Sequence, residues 1–297
     1  MNKSRGLSER TSDIVLVAIT AVVLIIVAYP LYYVLIASVS DPYDVYAGKT
    51  FLFPSGFTLD GYAAVFQDPN IVSGFLNSVK YTLIGTVFSV TMLYITAYPM
   101  AQRDLPGRKF FSIFFLITMY FGGGLVPTYL VVKSTGLVGS MWSLFLPGGV
   151  AVGNMIIVRN YFQNSVPKDL IEAAQIDGCS KMGIFLRIVI PLSNPILAVM
   201  AVFSMVAYWN DWTNGLYYVT DAKLFSVQQM LNNMLKNIEY LSNNPNSQIN
   251  TSNIAASVPQ ASVRMAIALV GILPILVIYP FVQKYFVKGI AIGAVKG

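Results

Sequence analysis

Residues 172–191 read EAAQIDGCSKMGIFLRIVIP and lie between long apolar runs. A connection between helices commonly takes about 2–8 residues, but this one occupies 165–191. Pro167 suits a first helical turn, and Asp169 and Glu172 suit the positive end of a helix. Gly178 suits a left-handed cap that stops the helix. Ser180 is placed to cap a second short helix to Ile190, and Pro191 opens the next apolar run. Ala173 and Ala174 leave one side bare enough for another backbone to approach, while Glu172 and Asp177 offer charge to a basic partner. On these residues alone, a docking element and a surface-lying amphipathic linker stand equally open.

The rest of the chain says where such a segment must sit. Hydrophobic residue types make up 56% of the sequence and charged types 11%, against about 25% charged in a soluble domain. That is too little polar surface to coat a water-soluble globule, so the expected class is an all-α polytopic membrane protein. Six apolar runs free of Asp, Glu, Lys and Arg predict six transmembrane helices, at 14–38, 81–100, 110–132, 141–158, 191–209 and 265–282. Together they predict one transmembrane permease domain over 1–297. The first run is about 25 residues, longer than a secretory signal core of about 7–15, and reads as a retained helix. The weaker stretch 216–235 carries Asp221 and Lys223 and is expected outside the membrane.

Lys and Arg set the orientation. With the N-terminus inside, the inner segments hold Lys3, Arg5, Arg10, Arg103, Arg108, Lys109, Arg159, Lys168, Lys181, Arg187, Lys284, Lys288 and Lys296. The outer loops hold Lys49, Lys133, Lys223 and Lys236, with Lys80 and Arg264 at outer span ends. This asymmetry predicts that both termini and the 165–191 loop face the cytoplasm. The net charge of +6 is spread over short loops, not gathered on one patch, so it does not point to nucleic acid. There is no histidine and a single cysteine, Cys179. The commonest general base and metal ligand is missing, and no internal disulfide can form. No catalytic or metal site is expected.

The pattern Glu172-Ala173-Ala174, Gly178, Ile188, Ile190, Pro191 resembles the EAA loop of ABC importer permeases, with Ile190 where Leu is usual. The six runs and the tail YFVKGIAIGAVKG (285–297) are similar to the carbohydrate-uptake branch of that family, the maltose-type and Lpl-like oligosaccharide permeases. The resemblance implies a multi-pass protein of the bacterial cytoplasmic membrane forming half of a sugar path. It implies a second permease subunit, a dimer of ATP-binding subunits and an extracellular solute-binding lipoprotein as partners. Glu172, Ala173, Ala174, Asp177, Gly178 and Pro191 would couple to the ATPase. No GxxxxGK[ST] phosphate loop occurs, so ATP and Mg would be used by the partner and no cofactor bound by this chain. The rival is a secondary, ion-coupled transporter, which tends to place ionisable groups inside its spans; the six runs have none.

Two further stretches are candidates for the path or its gate. Gly122, Gly123 and Gly124 interrupt the third run, and broken backbone survives in lipid only beside neighbours or a cavity that satisfy it. Tyr208, Trp209, Asn210 and Asp211 end the fifth run with the rings and amides a sugar would meet, or with an ordinary interfacial aromatic belt. Outside, the proline- and aromatic-rich segment 39–73 and the amide-rich loop 241–262 are expected to meet the solute-binding partner. Lys284, Lys288 and Lys296 fit anionic membrane lipid or the ATPase equally.

Overall fold

The computed structural model describes residues 7–243 and 261–277, with side chains over 13–240 and 261–277. The tail lysines and most of the 241–262 loop lie outside the described residues. The described helices are α1 (Leu7–Ser38), α2 (Pro42–Tyr46), α3 (Asp60–Phe66), α4 (Ile71–Ala101), α5 (Arg108–Tyr120), α6 (Leu125–Ser134) and α7 (Val152–Ser165). They continue as α8 (Lys168–Ile176), α9 (Lys181–Leu192), α10 (Asn194–Trp209), α11 (Thr213–Tyr218), α12 (Val227–Asn243) and α13 (Ala261–Val277). Among the described residues the one β-type pairing is an isolated bridge between Ser40 and Phe57. The chain forms two compact units, Met1–Pro69 with Met234–Leu273, and Asn70–Asn233 with Pro274–Gly297.

In the first unit, the span-length part of α1, Asp13–Ser38, is 26 residues long. At about 1.5 Å per residue that exceeds a hydrocarbon core of about 30 Å. Beyond it, residues 39–59 are knitted by polar contacts. The Asp41 carboxylate caps α2 by accepting from the amides of Tyr43 (2.8 Å) and Asp44 (3.4 Å). Asp44 accepts from Lys49 Nζ (2.7 Å) and from the Ser55 hydroxyl (2.6 Å). The Asp41 amide donates to the Ser55 carbonyl, and Thr58 to Val39. The Ser262 hydroxyl at the start of α13 donates to the Ser40 carbonyl at 3.1 Å. Gly61 of α3 sits so close that a Cβ there would stand 2.9 Å from the Ser262 carbonyl oxygen.

The second unit is organised by α4. Its buried positions Gly74, Ser78, Tyr81, Gly85, Ser89, Leu93, Ala97 and Met100 recur every three or four residues and form one face. Five of them (Gly74, Ser78, Gly85, Ser89 and Ala97) are small, which lets another helix come close without a hydrophobic drive from water. α10 takes that place. The Tyr208 ring lies where a Gly85 Cβ would be 2.7 Å away, and the Tyr208 and Ser89 hydroxyls are 2.8 Å apart. Toward the other end, Leu93, Tyr94 and Ala97 share a core with Met155, Val158 and Phe162 of α7, Ala174 of α8, and Ile184, Phe185 and Val189 of α9.

Several expected spans take a different form. The run 14–38 matches α1, but the second is ten residues longer at its start than 81–100. The third is two helices, α5 and α6, bent by 118° where Gly124 adopts φ +82°. The fourth, 141–158, is not one helix. A 3₁₀ turn, Met141–Leu144, gives way to loop at Pro147-Gly148-Gly149, and helix resumes only at α7. Proline lacks the amide that would continue the ladder, and its ring clashes with the preceding turn. The fifth begins at Asn194, not Pro191. Pro191 lies in the last turn of α9, and a bend of 79° at Ser193 separates it from α10. The sixth is α13 as far as Val277.

Two outcomes follow. Gly85→Ala forces its methyl into a Tyr208 ring already held by Ser89 and by Phe145, whose ring centroid is 5.7 Å away. Overpacking of this kind costs about 1–3 kcal/mol, so the thermal midpoint of the purified protein in detergent falls. Gly153→Ala, with nothing within 4 Å of the new methyl, leaves the midpoint in place. In the first unit, the hydrogen bond from Lys49, aided by Ser55, holds the Asp44 carboxyl below its ordinary value. Its contribution is therefore fully present above about pH 3.9 and is lost as pH falls through the lowered folded value. Amide exchange over 41–58 should stay protected at neutral pH and speed up only at strongly acid pH, and Asp44→Asn should remove that dependence.

Candidate functional site

Two features of the second unit bring the predicted residues into play. The first is the 165–191 loop. Pro167 stands just before α8 in extended backbone. Ile171 and Ala174, three residues apart, face the core, and Ala174 is buried. Glu172, Ala173 and Ile176 fall on the opposite side and are exposed, as is Asp177. The helix ends in a Schellman cap. Gly178 adopts φ +78°, its amide donates to the Gln175 carbonyl (3.0 Å), and the Cys179 amide donates to the Ala174 carbonyl (2.9 Å). Ser180 caps α9 through the Gly183 amide at 3.1 Å.

The underside of the loop is fixed. The ring of Tyr98 stacks on Phe185 at 4.7 Å, and Tyr94 and Tyr98 both meet Phe162 edge-on. Lys181 Nζ bonds Asp104 at 3.0 Å, tying α9 to the turn after α4 and holding the Asp104 carboxyl below its usual range. Beside α8 lies a groove of about 830 Å³ whose lining includes Arg103, Asp104, Arg108, Lys168, Glu172 and Gln175. An exposed helix standing on a rigid base, next to a groove of mixed charge, is a surface that can receive another protein. Ile176, 87% exposed, is the apolar knob on this face. Sequence reasoning passed it over, although its place four residues after Glu172 puts the two on one side.

The second feature is a cavity of about 330 Å³ where α4, the 147–151 break and α10 converge. Its polar lining comes from Ser89, Asn154, Ser204, Tyr208, Asn210, Asp211, Thr213 and Asn214. The YWNDW stretch therefore divides. Tyr208, Asn210 and Asp211 reach the cavity, while Trp209 is buried with its ring 6.3 Å from that of Phe75. The Asn210 amide group donates to the Val206 carbonyl at 2.9 Å. Asp211 accepts from the Asn214 amide (3.0 Å) and side-chain amide (2.7 Å), which starts α11. Such a lining offers hydroxyls and amides to a neutral polar molecule. Gly122, Gly123 and Gly124 are exposed and stand apart from this lining, at the α5–α6 bend. Ser89, Asn154 and Ser204 were not singled out in sequence; the available signal was polar residues inside otherwise apolar runs. No cluster of three or more candidate metal ligands occurs among the described residues.

Residues 71–292 match the family described as binding-protein-dependent transport system inner membrane component. The polygalacturonan/rhamnogalacturonan transport system permease protein YtcP of Bacillus subtilis is 36% identical over 291 residues, covering 98% of this chain and all of the relative. Protein LplC of the same organism is 37% identical over 268 residues, covering 90% and 89% of the two chains. Among solved structures, a bacterial ABC transporter involved in importing the acidic polysaccharide alginate superposes with a TM-score of 0.82 at 25% identity, covering 96% of this chain and all of that one. The helical architecture, the apolar spans and this family match along most of the sequence agree: the chain belongs to the binding-protein-dependent transport system inner membrane components, the permeases of ABC importers.

Proposed function

We propose that this chain is one of two permease subunits of an ATP-driven sugar importer, that it carries oligosaccharides, and that α8 is its coupling helix. The observation that carries the reading is α8 itself, with Ala174 locked into the core, Glu172, Ala173 and Ile176 outward, and Gly178 ending the helix in a conformation other residues adopt at a cost. A rigid base lets a push on α8 reach α9 and α10. Glu172 meets a basic group of a separate ATPase subunit, where ATP and Mg are used, and Pro191 ends α9 ahead of the bend. An extracellular solute-binding lipoprotein delivers the sugar to a path of which the 330 Å³ cavity is this subunit's part. The carbohydrate assignment is supported by the relatives' names, a polygalacturonan/rhamnogalacturonan transport permease and a transporter involved in importing the acidic polysaccharide alginate.

Lys and Arg asymmetry supports a cytoplasmic position for both termini and α8. That placement requires one crossing between Lys109 and Lys133, through α5 and α6, and another between Lys133 and Arg159, ending in α7. With α1, α4, α10 and α13 the crossings number six.

Glu172→Arg reverses the docking charge, and Gly178→Leu strains the cap. Breaking an interfacial charge pair costs about 2–5 kcal/mol, so sugar uptake by the reconstituted transporter should fall by more than about tenfold with the subunits still inserted. ATP hydrolysis should lose its stimulation by the loaded solute-binding protein. Uptake at the wild-type rate in both variants would remove α8 from the coupling role.

A further inference from the structure

Phe51, Leu52 and Phe53 form three consecutive apolar residues in the first unit, with exposures of 63%, 54% and 77%. They do not hang free. The Tyr29 hydroxyl donates to the Phe51 carbonyl at 3.2 Å, and the Tyr32 hydroxyl donates to the Leu52 carbonyl. The Tyr29 and Phe51 rings pack at 5.6 Å. The triplet is thus laid along α1, one helical turn of tyrosines holding its backbone, with Phe51 against the Tyr29 ring and all three side chains largely exposed.

Depth follows from helix geometry. Tyr29 and Tyr32 lie sixteen and nineteen residues beyond Asp13, which is about 24 and 28 Å along α1. A hydrocarbon core is about 30 Å thick, so these tyrosines stand at its far edge. α1 continues past them to Ser38, and only then come the charged residues Asp41, Asp44 and Lys49. The triplet lies on the membrane side of that polar cluster, against the stretch of α1 that has no buried residue.

We propose that Phe51, Leu52 and Phe53 are a wedge seated in the lipid interface at the C-terminal end of α1. Two features fit lipid better than water or a protein partner. The carbonyls of Phe51 and Leu52 already have donors, which lowers the cost of bringing them against hydrocarbon. The apolar side chains also lie beside a stretch of α1 whose own apolar side chains, among them Ile25, Ile26 and Leu31, are exposed. The wedge fixes the depth of α1 in the bilayer and the height at which the 39–59 segment stands above it.

The test uses the assembled transporter, with Cys179→Ser removing the native thiol, reconstituted in phosphatidylethanolamine and phosphatidylglycerol vesicles. A nitroxide is attached at Phe53→Cys, with Tyr46→Cys and Ile25→Cys as references for the aqueous side and the bilayer interior. Power saturation then compares collisions with oxygen and with a water-soluble nickel complex. The wedge predicts that the Phe53→Cys label favours oxygen over nickel, at a depth between the two references. Adding Tyr29→Phe and Tyr32→Phe should shift that label toward the nickel-accessible range. Nickel access equal to that of Tyr46→Cys would overturn the proposal in favour of a water-facing segment. Low access to both reagents would overturn it in favour of a covering protein, the second permease or the solute-binding partner.

Discussion

The close approach of α10 to α4 is the contact on which the second unit depends. In lipid no hydrophobic drive pulls two apolar helices together, so association rests on van der Waals fit and polar contacts between them. Gly85 supplies the fit by leaving room for the Tyr208 ring, and Ser89 supplies the polar contact at its hydroxyl. The two lie one turn apart on the same face of α4, so a single residue of α10 reads both. Because Tyr208 is held, the start of the YWNDW stretch is held, and Asn210 and Asp211 are presented to the cavity from a fixed point. Further along that face, Leu93, Tyr94 and Ala97 meet the loop that carries α8. One seam therefore supports the cavity at one end and the exposed face of α8 at the other.

Between those ends the chain is not a straight rod. α9 contains a π-type turn at Phe185–Val189, and α9 and α10 meet at 79° around Ser193. Such turns widen the ladder locally and are enriched at functional sites. At the bend the Ser193 amide and hydroxyl satisfy the last carbonyls of α9, the amide donating to Val189 and Ile190 and the hydroxyl to Ile190, and Tyr94 adds a second donor to the Ser193 carbonyl at 3.1 Å beside the Leu197 amide. In the proposed mechanism a fixed bend would turn a displacement of α8 into a rotation of α10, whereas a straight helix would transmit it along its axis. The bend is thus the geometric link between the two halves of the proposed mechanism.

How much of this was legible in sequence differs by residue. The absence of charge from the 14–38 run was enough to place α1, because each ionised group at mid-bilayer costs about 2.5–3.5 kcal/mol. The helix, glycine stop and Ser180 cap of the loop were also legible, since caps are set by local chemistry. The third and fourth runs were not, because a scan for apolar residues weighs Gly and Pro as neutral while the backbone does not. Pro147-Gly148-Gly149 and Gly122-Gly123-Gly124 were visible as breakers, but the 118° bend depends on φ at Gly124. Nor could sequence separate Trp209, packed on Phe75, from its neighbours at the cavity. Successive residues of a helix point about 100° apart, and which of them faces inward depends on the neighbouring helix. Ser89 and Asn154, from α4 and α7, meet only after folding.

Tyrosine does in this chain what charged side chains and histidine do elsewhere. The sequence has 18 tyrosines and no histidine. Among the described residues, hydroxyls of Tyr29, Tyr32, Tyr81 and Tyr94 reach backbone carbonyls far along the chain, at Phe51, Leu52, Leu224 and Ser193. Each acceptor lies where regular structure ends, at a loop, a short 3₁₀ turn or a helix bend. An uncapped carbonyl there would cost several kcal/mol in hydrocarbon, and a lysine or arginine donor would bring the cost of burying a charge. A tyrosine ring packs as an apolar group while its hydroxyl donates one hydrogen bond. Irregular backbone can then persist beside apolar helices, at the edge of the spans and at the bend before α10, without a buried charge to hold it.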